Sequence, residues 1–369
     1  MLPIDLAVQL LEKNVIPIPL GQPTFADRRY HPRDFDNANF HAIPKSDTER
    51  TICFIDGGNM EIASAPNFII ELTRLYFNLF KGNRRMEPCN IPQRIDFYTV
   101  CYATLEDRKI VYRTEFVPVK EIWRKYLPEV EDLKFNSFDR TIMSGLQRAT
   151  IDKVSDAART FAEWKFTNFI MQEELNRNDI LVKDGTLQTS VTNESKYANE
   201  AYGTALNEEV YFTALSKTST LFTTTGQPLL SAIWELSQST SLKGSSWYYH
   251  PIVKIAHPDH RAEMFAVKLH KQSEHVFRFE ILREQAEGSR TEENESIISA
   301  LADNSKDVSF PGYPFGLMDA DRLGRVDTNE KSTQEFQFKA VASKRGIWKK
   351  ISQFTRSSDA HMILNELMR

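Results

Sequence analysis

The sequence predicts an α/β protein: a mixed β-sheet with helices packed on its faces. Three observations carry this expectation. Two short continuous apolar runs, "TICFI" at 51–55 and "ILV" at 180–182, read as strands covered on both faces. A long amphipathic segment at 156–179 runs directly into the second of them. The remaining β-rich runs are spaced as a hairpin and as a meander of consecutive strands.

In chain order, residues 1–14 read as a short amphipathic helix with Leu2, Leu6, Val8, Leu10 and Leu11 as its apolar residues. Residues 21–49 are rich in Pro, Asp, Asn and Arg and read as a long surface arm or linker. After the strand "TICFIDGG", the segment 67–82 carries Phe68, Ile69, Leu72, Leu75, Tyr76 and Leu79 at helical spacing, which predicts a helix. "RIDFYTVCYA" and "KIVYRTEF" are β-rich and flank the polar "TLEDR", which predicts a hairpin. Residues 119–150 read as helical and irregular. The helix at 156–179 has Ala158, Phe161, Trp164, Phe169 and Ile170 as its stripe. "EEVYFTALSKTS", "SSWYYHPIVKI", "EMFAVKLHK" and "HVFRFEIL" read as strands. An acidic loop with a short helix follows, then a helix starting near Phe315, and a last stretch with a basic run and a final short helix.

With 41% hydrophobic residues in 369, the chain can bury a sizeable core. A net charge of -4 gives no bulk attraction to nucleic acid, so such binding would need local patches. The three cysteines, Cys53, Cys89 and Cys101, lack CxxC spacing, which points away from a zinc site, a redox pair or a disulfide framework. The N-terminus lacks the basic region of a secretory signal, and no apolar run reaches membrane-spanning length. These features predict a soluble, cytoplasmic protein.

Two strands each deliver a carboxylate to glycine: Asp56 before Gly57–Gly58, and Asp184 before Gly185. Glycine lets a loop leave sharply and lets a ligand approach the backbone. Asp-Gly is also an ordinary turn, so the pair reads either as two strand ends or as two halves of one site. If the strands are neighbours, the two carboxylates repel, and a divalent cation such as Mg²⁺ or Mn²⁺ relieves the repulsion. Glu163, beside the helical stripe, points either into such a site or to water. Lys217 ends a strand, where it neutralises a phosphate or is simply solvated. The histidines 250, 257, 260, 270 and 275 show no metal-ligating spacing, and 257 and 260 flank a turn. Asp319 and Asp321 are expected near a helix N-terminus, where the dipole favours carboxylates without any function. His361 opens the final helix.

"FIDGG", "AEW" ahead of "ILVKDGTL", then "ALSKTS", "YYHPIV", "GYPFGLMDADRLGRV" and "DAHMIL" stand in the order of the NurA nucleases. The sequence resembles that family from about residue 50 to the C-terminus. It departs from the pattern at Gly58, where the family often has Ser, and at Asp319 and Asp321, where an acidic residue followed by His is frequent. The arm at 21–49 has no counterpart there. The resemblance implies residues 1–49 as helix and arm, and 50–369 as a nuclease domain with an RNase H-like core, similar to the PIWI domain of Argonaute proteins, carrying inserted helical and β elements. In that fold the first and fourth strands are adjacent and parallel, which would join Asp56 to Asp184.

The resemblance further implies Asp56, Glu163 and Asp184 as metal ligands, Lys217 as a supporting cation, and Asp321 or His361 completing the site. It implies Mn²⁺, with Mg²⁺ as alternative, in a two-metal phosphodiester hydrolysis. The family's activity is 5′ to 3′ degradation of DNA ends, with single-strand endonuclease activity, in end resection, recombination and repair. The implied partners are single- and double-stranded DNA ends, a hexameric HerA-type ATPase and a second copy of the chain. Arg28, Arg29, Arg33, Arg84, Arg85, Lys344, Arg345, Lys349 and Lys350 are candidates for a DNA channel, and Trp234, Trp247, Tyr248 and Tyr249 for base stacking. Two competing readings are a catalytically silent DNA-end-binding partner of an ATPase and a metal-dependent phosphohydrolase of small nucleotides.

Overall fold

The computed structural model describes residues 2–16, 18–45, 50–82 and 84–355. Its centre is a twelve-stranded sheet. In chain order the strands are β1 (Phe40–Ala42), β2 (Thr51–Ala65), β3 (Phe68–Lys81), β4 (Arg84–Met86), β5 (Arg94–Glu106), β6 (Lys109–Pro118), β7 (Phe135–Asn136), β8 (Ile180–Asp184), β9 (Tyr211–Ser216), β10 (Trp247–Tyr249), β11 (Ala262–Lys268) and β12 (Phe277–Leu282). Across the sheet they run β1-β10-β11-β12-β9-β8-β2-β3-β5-β6-β7, with β4 paired to β3. Strand β8 is parallel to both β2 and β9. The strands that carry Asp56 and Asp184, β2 and β8, are thus parallel neighbours, as expected.

Helices pack around the sheet, among the described residues α1 (Pro3–Asn14), α2 (Ile151–Glu173), α3 (Glu194–Asn207), α4 (Leu229–Ser237), α5 (Arg283–Gly288), α6 (Thr291–Asp303), α7 (Phe315–Gly324) and α8 (Thr328–Lys344), with a further helical stretch at 348–355. Strand alternation sorts the side chains of the central strands onto two faces. Cys53, Ile55 and Leu181 join the core under α2 and α3, while Ile52, Phe54, Ile180 and Val182 join the core under α6 and α7. Phe161, Trp164, Phe166 and Ile170 are fully covered on α2, each contributing roughly 1.5–3 kcal/mol of burial. A smaller cluster of Phe40, Leu229, Trp247 and Tyr249 lies toward the β1 edge.

Several expectations are corrected. Segment 67–82 is not a helix but strand β3, paired to β2 along one side and β5 along the other. It is buried on both faces, so its apolar residues run almost without interruption, and such a run matches helical spacing by chance. Its Ile, Thr, Phe and Tyr residues favour the strand. Gly57 and Gly58 do not turn the chain: β2 continues to Ala65. "SSWYYHPIVKI" is two short strands rather than one, separated at Pro251, which lacks the N–H a ladder needs. Residues 21–45 of the arm, read as a surface arm or linker, pair with strands of the fold. Pro23–Thr24 pairs with Phe222–Thr223, Tyr30–Pro32 with Val253–Ile255, and β1 forms the sheet edge.

The hairpin between β5 and β6 is present, with Asp107 and Arg108 both at positive φ in its two-residue turn. Residues 119–150 hold two 3₁₀ turns, at Glu121–Tyr126 and Val130–Leu133. Helix α8 has no counterpart in the sequence reading, while the final short helix and His361 lie outside the described residues. Among the described residues, no helix is long and apolar enough to cross a membrane.

Candidate active site

Asp56 and Asp184 are 128 residues apart in the chain, yet the parallel register Val182↔Phe54 and Lys183↔Ile55 brings them side by side. Both share the parity of the residues packed under α7. Helix α7 supplies the third carboxylate, Asp321. Ligand oxygens of Asp56, Asp184 and Asp321 all lie within 4.8 Å of one another.

Specific side chains dock α7 on the sheet. Gly316 lies against the Phe54 ring, where a β-carbon would stand 2.1 Å from Cδ2. Asn78 Nδ2 donates to Gly316 O at 2.8 Å and to Asp319 Oδ2 at 3.0 Å. Asn304 Oδ1 accepts from Gly316 N at 2.8 Å, capping the helix from outside it. Asp319 is buried and held by Arg85 and Arg322, so it anchors the helix. Asp321 lies in the last turn rather than near the N-terminus.

Lys217 reaches all three carboxylates. Its Nζ is 2.5 Å from Asp184, 2.7 Å from Asp321 and 3.7 Å from Asp56. Burial opposes its charge, but Asp184, Asp321 and Asp56 raise its pKa above the usual lysine value. Asp321 is also partly desolvated, yet Lys217 and Arg325 hold its pKa below the usual carboxylate value. Asp56 differs. Burial, then the charges of Asp184 and Glu163, push its carboxyl up to about 8, against the pull of Lys217 and the Gly57 N–H. Negative charge at Asp56 is therefore incompletely neutralised by the protein itself. An all-oxygen, crowded carboxylate set of this kind fits a hard divalent cation.

Glu163 belongs to the opposite face. It sits over Gly57, whose β-carbon would stand 2.7 Å from Glu163 Oε1. Arg159 bonds to the same oxygen, and Lys183 Nζ lies 3.5 Å from Oε2 and 5.2 Å from the Trp164 ring centre. Strand parity places Gly57 and Lys183 on the α2 side, so Glu163 faces the aspartate group across the backbone of β2. Asp56, Asp184, Asp321, Glu163, Arg159 and Lys183 line one open cleft of about 430 Å³, together with Asn59, Thr160, Gly185 and Arg325. Gly185, at φ +99°, turns the chain away from Asp184.

The structure thus brings together Asp56, Asp184, Asp321 and Lys217, and sets Glu163 in the same cleft. Arg159, Lys183 and Arg325 were missed by the sequence reading. Lys183 had a signal, a lysine inside a buried apolar strand, and Arg159 stands one helical turn before Glu163. Trp247, Tyr248 and Tyr249 are buried in the core, leaving Trp234 as the exposed member of the stacking candidates. Among the basic candidates, Arg85 is engaged with Asp319 and Arg29 with Asp27. His260, read as a turn residue, is fully buried against Glu280.

The family model described as the NurA domain matches residues 50–326. A NurA crystal structure is similar over 92% of this chain and 96% of its own, with 7% identity and a TM-score of 0.46. An Argonaute from A. aeolicus is similar over 75% of this chain and 28% of its own, with 8% identity and a TM-score of 0.29. An Argonaute from Kluyveromyces polysporus with a guide RNA is similar over 78% of this chain and 27% of its own, with 10% identity and a TM-score of 0.29. This chain therefore spans little more than a quarter of the Argonaute chains. No curated protein sequence matches it. On the family match, which takes in most of the sequence including Asp56, Glu163, Asp184, Lys217 and Asp321, the chain belongs to the NurA domain family.

Proposed function

We propose that this protein is a divalent-metal-dependent DNA nuclease acting on DNA ends. Family membership implies a nuclease-type role. The observation that carries the reading further is the convergence of Asp56, Asp184 and Asp321 beside Lys217 in an open cleft. A chain that only bound DNA ends would have no use for three carboxylates held against their mutual repulsion.

Asp56, Asp184 and Asp321 would hold the cation, with Glu163 on the far side of β2 as a further ligand. Bound there, Mn²⁺ or Mg²⁺ would supply Lewis acidity at a phosphate oxygen and would lower the pKa of a water so that hydroxide is available as nucleophile. The chain's own groups do the remaining work. The parallel strands β2 and β8 hold Asp56 and Asp184 still, so little reorganisation accompanies the reaction. Lys217 balances charge among the aspartates and is available to a phosphate oxygen. Arg159 and Arg325 line the cleft with guanidinium groups suited to phosphate.

The finer features follow the family resemblance alone: Mn²⁺ preference, a two-metal site, 5′ to 3′ polarity with single-strand endonuclease activity, a homodimer, a HerA-type ATPase partner, end resection and a cytoplasmic location. The test is cleavage of end-labelled linear DNA, single- and double-stranded, with Mn²⁺, Mg²⁺ or EDTA. Metal-dependent degradation lost in Asp56→Asn is expected. No cleavage by the wild type, with the ATPase added, would overturn the reading in favour of a silent DNA-end-binding partner.

A further inference from the structure

We propose that the N-terminal arm clamps the loop after Asp184, acting through Tyr30, His260 and Glu280. Its consequence for function rests on the metal-site reading above; its geometry does not.

The loop leaves β8 at Gly185, whose positive φ makes it a natural pivot. It is held at Gly185 by Leu215 and Ser216, at Gln188 and Thr189 by His260 and Asp259, and at Leu187 by the buried cluster. Leu187 N donates to Glu280 Oε2 at 2.8 Å, and Leu187 O accepts from Tyr202 Oη at 2.5 Å. Glu280 is fully buried on β12. Its other oxygen, Oε1, accepts from Arg278 Nε at 2.6 Å and lies 3.0 Å from His260 Nε2. An ionised carboxylate only accepts, so His260 Nε2 is the donor in that pair. Nδ1 lies 2.9 Å from Tyr30 Oη, accepting from the hydroxyl when the ring is neutral and donating to it when the ring is doubly protonated. Tyr30 belongs to the arm, in the strand paired with Val253–Ile255, and stacks on Phe25 at 5.3 Å.

A continuous set of bonds therefore runs from the arm to the peptide three residues beyond Asp184. The arm lies outside the matched family region, which starts at residue 50. Stability alone is a poor reason for the cluster, because apolar residues of similar volume usually serve a core at least as well as buried ions. Holding one loop in one place is what a fully satisfied buried network does well. Tyr30, His260 and Glu280 are positioning residues: Glu280 and His260 meet the loop, Tyr30 acts on it through His260, and the contacts they make are not with the aspartates.

The test uses the full chain with Tyr30→Phe and Glu280→Gln. Phe keeps the ring packing and removes only the hydroxyl. Amide hydrogen exchange at Gly185 and Leu187, Mn²⁺ affinity by calorimetry, and melting temperature are measured. The expected result is faster exchange at Leu187, by about tenfold in Glu280→Gln and less in Tyr30→Phe, with weaker Mn²⁺ binding in the same order. Unchanged Leu187 exchange in both variants would overturn the clamp. So would a general rise in exchange that includes β6, which would mean lost stability, or faster loop exchange with unchanged Mn²⁺ affinity. If the wild type takes up no Mn²⁺, the metal-site reading fails and the exchange data alone decide the clamp.

Discussion

Gly58 and Gly324 are in contact: a β-carbon on Gly58 would stand 2.6 Å from the Gly324 carbonyl oxygen. The obstacle is backbone, so it cannot swing aside. The Ser that the family often carries here has no room. Gly58→Ala should push the end of α7 away from β2 and carry Asp321 with it. We expect a loss of about 1–3 kcal/mol in thermal or denaturant unfolding, together with weaker divalent-metal binding by calorimetry.

Asp56 makes the metal-free protein sensitive to pH. Burial and the neighbouring carboxylates raise its carboxyl from an ordinary 3.8 to about 8 in the fold, so the folded state holds that proton more tightly than the unfolded chain. The associated stability is complete below about pH 4 and is lost as pH rises through 8. Asp56→Asn cannot lose it. The melting temperature of Asp56→Asn should exceed that of the wild type by more at pH 8 than at pH 5, in EDTA. Mn²⁺ affinity of the wild type should rise with pH over the same interval, because binding displaces the proton. A difference between the two proteins that is flat with pH would contradict this.

Glu163 allows structure and chemistry to be separated. Glu163→Ala leaves Lys183, nearly buried, and Arg159 without their shared carboxylate, and should cost about 3 kcal/mol. Glu163→Gln keeps the shape and should cost less. Cleavage should fall by about a hundredfold or more in both, read as single-turnover rates on labelled DNA.

The neighbouring aspartates of α7 should part ways. Asp319→Ala removes the acceptor of Asn78, Arg85 and Arg322 and should destabilise the fold by about 1–3 kcal/mol. Asp321→Asn should leave the melting temperature close to that of the wild type and abolish metal-dependent cleavage. Equal melting losses in the two variants would contradict the division of roles.

Much of the site was legible because strand patterns report burial directly. An apolar run ending in Asp-Gly marked Asp56 and Asp184, and the family resemblance joined them. Alternation along β2 and β8 also contained the split between faces: Asp56 and Asp184 on one side, Gly57 and Lys183 on the other. What misled was β3, because a strand buried on both faces loses the period-two pattern that distinguishes it from a helix. Helix α8, polar over most of its surface with Ala342 as its buried residue, carried too little apolar signal to be seen.

The sequence by itself determined the class of the fold, the end of β8 at Asp184, the helix that carries Glu163, and the carboxylates placed beside glycine. These depend on local preferences and on which residues must leave water. Only the tertiary structure decided that Asp321 joins the aspartates while Asp319 anchors α7, that Lys217 bridges all three carboxylates, and that Tyr30 reaches Glu280 through His260. Those contacts join residues far apart in the chain. They are set by strand order and helix docking, which bring together segments whose own sequences carry no mark of the partner they will meet.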